Sequence, residues 1–154
     1  MIKELSHYNF IEYDDLNIDE LLDKGNAEVF KGKYLEKDVA IKKYKNDENN
    51  INESIFNELK IGSKIKSERL MKTYGYSYDE KKEYIYLIME YINSKDLWYY
   101  INSYYDDDNV YNKMSKSTKI SVIKSLLKAI KEMWNEDIVH GDLKPLNLAI
   151  HRRN

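Results

Sequence analysis

The feature that most constrains this chain is the stretch Ile138-Val139-His140-Gly141-Asp142-Leu143-Lys144-Pro145-Leu146-Asn147-Leu148-Ala149-Ile150, which holds its only proline. One short apolar run enters the stretch and another leaves it. Between them an acid, an amine and an amide stand at fixed offsets: Asp142, Lys144 and Asn147. On their own these residues describe a tight turn between a helix and a strand, with Pro145 fixing its path.

The residues ahead of this loop sort into two spacings. Residues 21 to 34 read as strand, turn and strand: Gly25-Asn26 is a turn signal, and Val29 and Phe30 have strand character. Residues 37 to 44 read as a third strand. Residues 71 to 77 and 84 to 90 read as two more, with the charged tip Asp79-Glu80-Lys81-Lys82 between them. Residues 10 to 13 read as a short lead-in strand. Residues 53 to 66 switch to helical spacing, with Ile55, Leu59, Phe56 and Ile65 toward one side. A short helix is expected over 96 to 104. Residues 117 to 134 form the clearest helix. Ile120, Ile123, Leu127, Ile130 and Trp134 lie on one stripe, Leu126 and Met133 widen it, and Ser117 or Thr118 is the expected N-cap. Residues 47 to 52 and 105 to 117 read as polar loops, and Asp106-Asp107-Asp108 lacks the turn glycine of a calcium loop. Strands, one helix, strands and then helices predict an α+β fold with a largely antiparallel sheet.

Three further segments matter. Val39-Ala40-Ile41-Lys42 ends an apolar run in a lysine, which by itself is the outward end of a buried strand. Glu58 stands on the next helix, within Phe56-Asn57-Glu58-Leu59-Lys60, and by itself is a surface acid. Leu87-Ile88-Met89-Glu90-Tyr91-Ile92 reads as a buried strand and its exit, followed by a helix start at Ser94-Lys95-Asp96-Leu97. Taken in order with His140-Gly141-Asp142-x-Lys144-x-x-Asn147, these segments resemble the protein kinase family over residues 16 to 152: its V-A-I-K strand, helix glutamate, hinge and H-R-D-x-x-x-x-N loop.

The resemblance implies a five-stranded antiparallel N-lobe with its C-helix over residues 1 to 92, lead-in included. It implies the hinge exit and a truncated helical C-lobe over 93 to 154. Lys42 would contact nucleotide phosphates, with Glu58 holding it extended. Val29 and Ala40 join the nucleotide-binding set, and Glu90 and Ile92 would offer backbone groups to an adenine with Met89 behind it. Asp142 would accept a proton from a substrate hydroxyl, Lys144 would steady the phosphoryl group and Asn147 would hold a metal ion. Asp142-x-Lys144 favours serine/threonine over tyrosine chemistry within the family.

The family pattern also fails in places. The phosphate-covering loop, Leu22-Asp23-Lys24-Gly25-Asn26-Ala27-Glu28-Val29, keeps one glycine of three, and Asp23 and Glu28 bring negative charge toward a site for anions. Gly141 replaces the arginine that meets a phosphorylated activation loop. Asn154 falls before the position where D-F-G would begin. The expectation is therefore an inactive pseudokinase with no metal site and no required cofactor, in which ATP is at most a weak ligand. Asp142, Lys144 and Asn147 would then hold the loop together without catalysing. The apolar stripe on 117 to 134 would need either the chain folding back on it or a partner covering it.

Composition closes other routes. Net charge is -2 with acids and bases interspersed, so neither nucleic acid nor a membrane is an expected partner. There is no cysteine, which excludes disulfides and thiolate metal sites and permits a cytoplasmic location. Met1-Ile2-Lys3-Glu4 is charged where a signal peptide needs an apolar core, and the most apolar short run, residues 84 to 89, is too short to span a bilayer.

The glycine-poor loop, His-Gly for His-Arg, Val29-Phe30-Lys31-Gly32-Lys33-Tyr34 and Tyr74-Gly75-Tyr76 look like the pseudokinase domains of the mixed-lineage kinase domain-like family. Poxviruses carry truncated members, and abundant Lys, Asn, Ile and Tyr suit an AT-rich source of that kind. That narrower resemblance implies a partner, the kinase domain of a host receptor-interacting protein kinase, whose necroptotic signalling the chain would block. The alternatives are the front half of a working serine/threonine kinase and a nucleotide sensor built on Lys42 and Glu58.

Overall fold

The computed structural model describes residues 5–25, 27–46, 53–102 and 114–151. Five strands form one sheet: β1 (Leu16–Lys24), β2 (Glu28–Tyr34), β3 (Lys37–Lys45), β4 (Thr73–Tyr78) and β5 (Tyr84–Glu90). Their order is β1-β2-β3-β5-β4 and every pair is antiparallel. The helices are α1 (Glu53–Lys64), α2 (Leu97–Asn102) and α3 (Lys116–Asn135). The α+β class with an antiparallel five-stranded sheet and one helix between β3 and β4 is as the sequence led us to expect. The chain divides into two compact units, Met1–Tyr91 and Ile92–Asn154. No described helix is long and apolar enough to cross a membrane.

The central strands carry the core of the first unit because they are covered on both faces. In β5, Ile85 and Leu87 join a cluster with Leu5, Tyr44, Ile55, Leu59 and Tyr76, while Tyr86 and Ile88 join Ile11, Val39 and Ile41. Alternate residues of one strand thus feed two clusters, which explains its unbroken apolar run. In β3 the same alternation sends Val39 and Ile41 to one face. Ala40, Lys42 and Tyr44 go to the other, the face that packs on α1. Ile55 and Leu59 are the buried positions of α1, and Phe56 packs against their cluster.

Several local expectations need correction. β1 begins at Leu16, not at residue 21, and its register shifts twice, between Ile18 and Leu21 and between Leu21 and Asp23. Residues 10 to 13 are not a strand: Phe10 makes one isolated parallel bridge to Tyr76, and Tyr13–Asp15 is a 3-10 turn. The fourth strand runs Thr73–Tyr78, and the hairpin tip after it is organised by Asp79. Its side chain accepts from the Tyr84 N–H at 2.9 Å and its carbonyl from the Lys82 N–H at 2.9 Å. Helix α2 is described over Leu97–Asn102, and residues 103 and 104 of the expected helix and the acidic run 106 to 108 lie outside the described residues, as do 47 to 52.

In the second unit the N-cap of α3 is Ser115, neither Ser117 nor Thr118. Its hydroxyl oxygen accepts from the Thr118 N–H at 3.0 Å. The helix ends as Asp137 turns left-handed at φ 55°, and the Ile138 N–H reaches back to the Met133 carbonyl at 3.0 Å. Its buried residues are Ala129 and Met133. The expected stripe lies largely outside: Ile120, Ile123, Leu127 and Trp134 are exposed, Trp134 at 76%. Periodicity marked an apolar arc on α3, and only its far edge is covered.

Candidate functional site

Lys42 lies in the middle of β3, opposite Val29 on β2 and Leu87 on β5. Its Nζ sits 2.6 Å from Glu58 Oε1, and the Tyr44 hydroxyl donates to the same oxygen at 3.1 Å. The local reason is two periodicities meeting. The pleat sends Lys42 to the face covered by α1, and Glu58 stands beside Leu59 and one turn after Ile55, the residues that seat that helix. The two side chains are 27% and 30% exposed. Burial by itself pushes the Lys42 amine down. The Glu58 charge and the hydrogen bonds to Glu58 and Tyr44 outweigh it, so the amine stays protonated above its ordinary 10.5. Burial, and then the Glu58 charge, raise the Tyr44 phenol.

Cross-strand partners share a face, so Val29, Ala40 and Met89 join Lys42 on the α1 side of the sheet: Val29 opposes Lys42 and Met89 opposes Ala40. Ala40 is buried and Val29 half-buried. Glu90 opposes Val39 and faces the other way. Its N–H donates to the Lys72 carbonyl at 2.8 Å. Ile92, in the second unit, is half-buried and its carbonyl accepts from the Ser94 N–H at 2.8 Å.

The acids of the β1–β2 turn separate. Glu28 precedes Val29, so the pleat turns it to the face opposite Lys42. There its carboxylate lies 3.4 Å from Lys43 and 3.9 Å from Lys24. Of the negative charge expected near the phosphate-covering turn, the Glu28 share is thus turned to the face away from Lys42 and paired with Lys43. Asp23 does oppose Val29 and shares the Lys42 face, and its carboxylate accepts from the Lys24 N–H at 2.9 Å.

In the second unit Asp142, Lys144 and Asn147 come together as one hydrogen-bonded set. Asp142 Oδ2 accepts from Lys144 Nζ at 2.8 Å and from Asn147 Nδ2 at 3.0 Å. The same Asn147 nitrogen donates to the Asp142 carbonyl at 2.8 Å. Pro145–Asn147 forms a 3-10 turn, which brings Asn147 back toward Asp142. His140 Nδ1 accepts from the Asp142 N–H at 3.3 Å. The segment leaving the loop is tied to the start of α2 by an Asp96–Ala149 bridge, and the Leu97 N–H donates to the Leu148 carbonyl at 2.6 Å. The hydrogen bond from Lys144, then that from Asn147, hold the Asp142 carboxyl below its ordinary range, so it is an ionised acceptor at neutral pH. With the Asn147 nitrogen on Asp142, the amide oxygen is the atom it can offer a cation, a hard ligand suited to magnesium. Among the described residues no three carboxylate or imidazole groups gather as a metal cage.

A family model described as the protein kinase domain matches residues 18–154. A probable serine/threonine-protein kinase of Dictyostelium discoideum is 27% identical over 153 residues, which is 96% of this chain and 11% of that protein. An Aurora kinase of Yarrowia lipolytica is 26% identical over 147 residues, 90% of this chain and 36% of its own length. A calcium/calmodulin-dependent protein kinase type 1 of Caenorhabditis elegans is 29% identical over 104 residues, 66% of this chain and 27% of its own. The chain therefore spans well under two thirds of each of these relatives.

Proposed function

This chain belongs to the protein kinase domain family, and from that membership we propose that it carries the phosphate anchor and the proton-accepting loop of an ATP-dependent serine/threonine phosphotransfer. The observation behind this reading is the Lys42–Glu58 pair at 2.6 Å, an extended amine on a strand steadied by a helix carboxylate. Lys42 would hold nucleotide phosphate oxygens, and Glu58 with Tyr44 would keep the amine in place for them. Asp142, ionised and exposed, would accept the proton of a serine or threonine hydroxyl as that hydroxyl oxygen bonds to the terminal phosphorus of ATP and the bond from that phosphorus to the departing ADP breaks. Lys144 would offset charge on the moving phosphoryl group, and Asn147 would offer an oxygen to magnesium. ATP with that ion supplies the transferable group when bound. Thermal shift with ATP, with and without magnesium, tests the anchor: wild type should gain stability and Lys42→Met should not. Transfer to a serine-containing peptide tests the loop, and Asp142→Asn should abolish it. No shift and no transfer in the wild type would remove the reading.

A second reading is favoured by the exposed apolar row on α3. In it the chain acts by contact in the cytoplasm, as a pseudokinase similar to the mixed-lineage kinase domain-like family that docks on a receptor-interacting protein kinase and blocks its necroptotic signalling. The single glycine of the β1–β2 turn and the Asp23 carboxylate on the Lys42 face also lean this way. Capture of a receptor-interacting kinase domain by the wild type, lost in Leu127→Asp, would support it. Equal capture by both proteins, or none by either, would remove it.

A further inference from the structure

The earliest described residues pack against the helix that carries Glu58. Leu5 is fully buried, in the cluster that contains Ile55 and Leu59 of α1, Tyr44 of β3, Tyr76 of β4 and Ile85 and Leu87 of β5. Tyr8 meets Phe56 of α1 edge to face, with ring centroids 6.4 Å apart. The residues that follow are tied to the outer edge of β4. The Tyr76 N–H donates to the Asn9 carbonyl at 3.0 Å, the Ile11 N–H to the Tyr76 carbonyl at 2.8 Å, and the Asn9 side-chain amide to the Tyr74 carbonyl at 2.8 Å. Phe10 sets its ring 5.5 Å from that of Tyr76. Gly75 makes the crossing possible, since a Cβ there would lie 2.2 Å from the Asn9 carbonyl oxygen.

This arrangement bears directly on Glu58. Helix α1 has 12 residues, too few to be stable without tertiary packing. What seats it is the burial of Ile55 and Leu59, and Leu5 fills the same cluster from outside both helix and sheet. A side chain that fixes Ile55 and Leu59 also fixes Glu58, which stands between them in sequence. We propose that residues 5 to 11 are a strap that positions Glu58 against Lys42, with Leu5 and Tyr8 as its positioning residues and Asn9 on Gly75 as its anchor. The consequence for nucleotide rests on the phosphate-anchor reading above, while the strap itself is tested without nucleotide.

The test uses the whole chain, free of ligand, with amide hydrogen exchange across α1 and β3 and an NMR titration of the Lys42 amine. The variants are Leu5→Ala, Gly75→Ala and the milder Asn9→Ala, with Leu5→Met as the conservative control. Exchange across α1 should speed up about tenfold or more while β3 and β5 hold, the mark of local opening. The Lys42 amine should titrate lower once Glu58 leaves it, because the largest influence opposing burial is then lost. Leu5→Met should keep both signals near wild type. If α1 and the sheet loosen equally, or Lys42 titrates unchanged in all three disruptive variants, the strap is only part of the general core and the proposal falls. A separate arm adds ATP to the wild type: absence of binding there would count against the phosphotransfer reading and leave the exchange result to decide the strap.

Discussion

Lys42 and Glu58 stand sixteen residues apart in sequence and meet at 2.6 Å, one on a central strand and the other on the helix packed over it. Such a pair contributes to stability with a definite pH dependence. Burial alone would lower the amine, yet Glu58 and Tyr44 raise it above 10.5. A raised folded value means the contribution is fully present below the ordinary lysine range and is lost as pH climbs through the folded value. Glu58→Gln should therefore cost about 1 kcal/mol at neutral pH, a modest figure because both side chains are partly solvated. Urea denaturation of wild type and variant should show that gap narrowing above about pH 10.5. A gap that is constant from pH 7 to 11 would show that packing, and not charge, is what Glu58 contributes.

The loop carboxylate should respond to its neighbour in the opposite sense. Lys144, followed by Asn147, lowers the Asp142 carboxyl, so its ionised form persists further into acid than an ordinary aspartate's. Any stability linked to it is present above the unfolded value and lost as pH falls through the folded one. Asp142 is exposed, so the titration itself is the useful readout. In Lys144→Met the carboxyl should move up toward its ordinary value, followed by carbon-detected NMR. An unmoved titration would mean that the 2.8 Å contact is not held in solution.

What could be read ahead of the fold follows from how burial writes itself into sequence. Strands β3 and β5 were legible because covering both faces demands apolar runs, and α1 because its inner positions recur at helical spacing. That Lys42 meets Glu58, and that Asp142, Lys144 and Asn147 come together, was legible through the family resemblance, which sets residue type as well as offset. Other features depend on information that a single segment does not carry. Glu28 and Val29 are neighbours, and only the β2–β3 register shows that the pleat puts them on opposite faces. The start of β1 was hidden because a bulged edge strand with Asn17, Asp19 and Glu20 has no clean alternation. The cap of α3 is Ser115 and not Ser117 or Thr118 because its hydroxyl is the one that reaches back to the helix start, where it hydrogen-bonds both of those hydroxyls. The Leu35-Glu36 turn between β2 and β3 has positive φ at both residues without a glycine or asparagine to announce it. Leu5 carried no signal at all, since one leucine in a polar lead-in has no period.

Two glycines should fail for different reasons when given a side chain. Gly141 has φ 77° with nothing within 4 Å of where a Cβ would sit, so Gly141→Ala carries backbone strain alone, about 1–2 kcal/mol. Gly32 is the reverse case: a Cβ there would lie 2.3 Å from the Asn17 carbonyl oxygen and 2.7 Å from a methyl of Ile41, so β1 must move away. Gly32→Ala should cost more than Gly141→Ala in chemical denaturation and should speed exchange in β1, which Gly141→Ala should leave alone. Equal losses at the two sites would contradict this division between strain and collision.

The two faces of α3 set up the sharpest contrast. Met133 is 3% exposed and Leu127 60%, six positions apart on one helix of 20 residues. Removing a buried methionine side chain loses its transfer free energy and leaves a cavity, so Met133→Ala should cost about 2–5 kcal/mol. Leu127→Ser removes a side chain already in water, and away from caps and charges such a change stays within about 0.5 kcal/mol. Apolar periodicity would rank the two alike, and would even place Leu127 nearer the centre of the arc. Thermal denaturation of both variants therefore measures which side of the arc is covered in solution. If Leu127→Ser is as costly as Met133→Ala, something buries the outer row in solution. Size-exclusion chromatography over a range of concentrations would then show whether it is a second copy: a mass that rises with concentration for wild type and not for Leu127→Ser identifies self-association, and a constant monomer points to cover from within the chain.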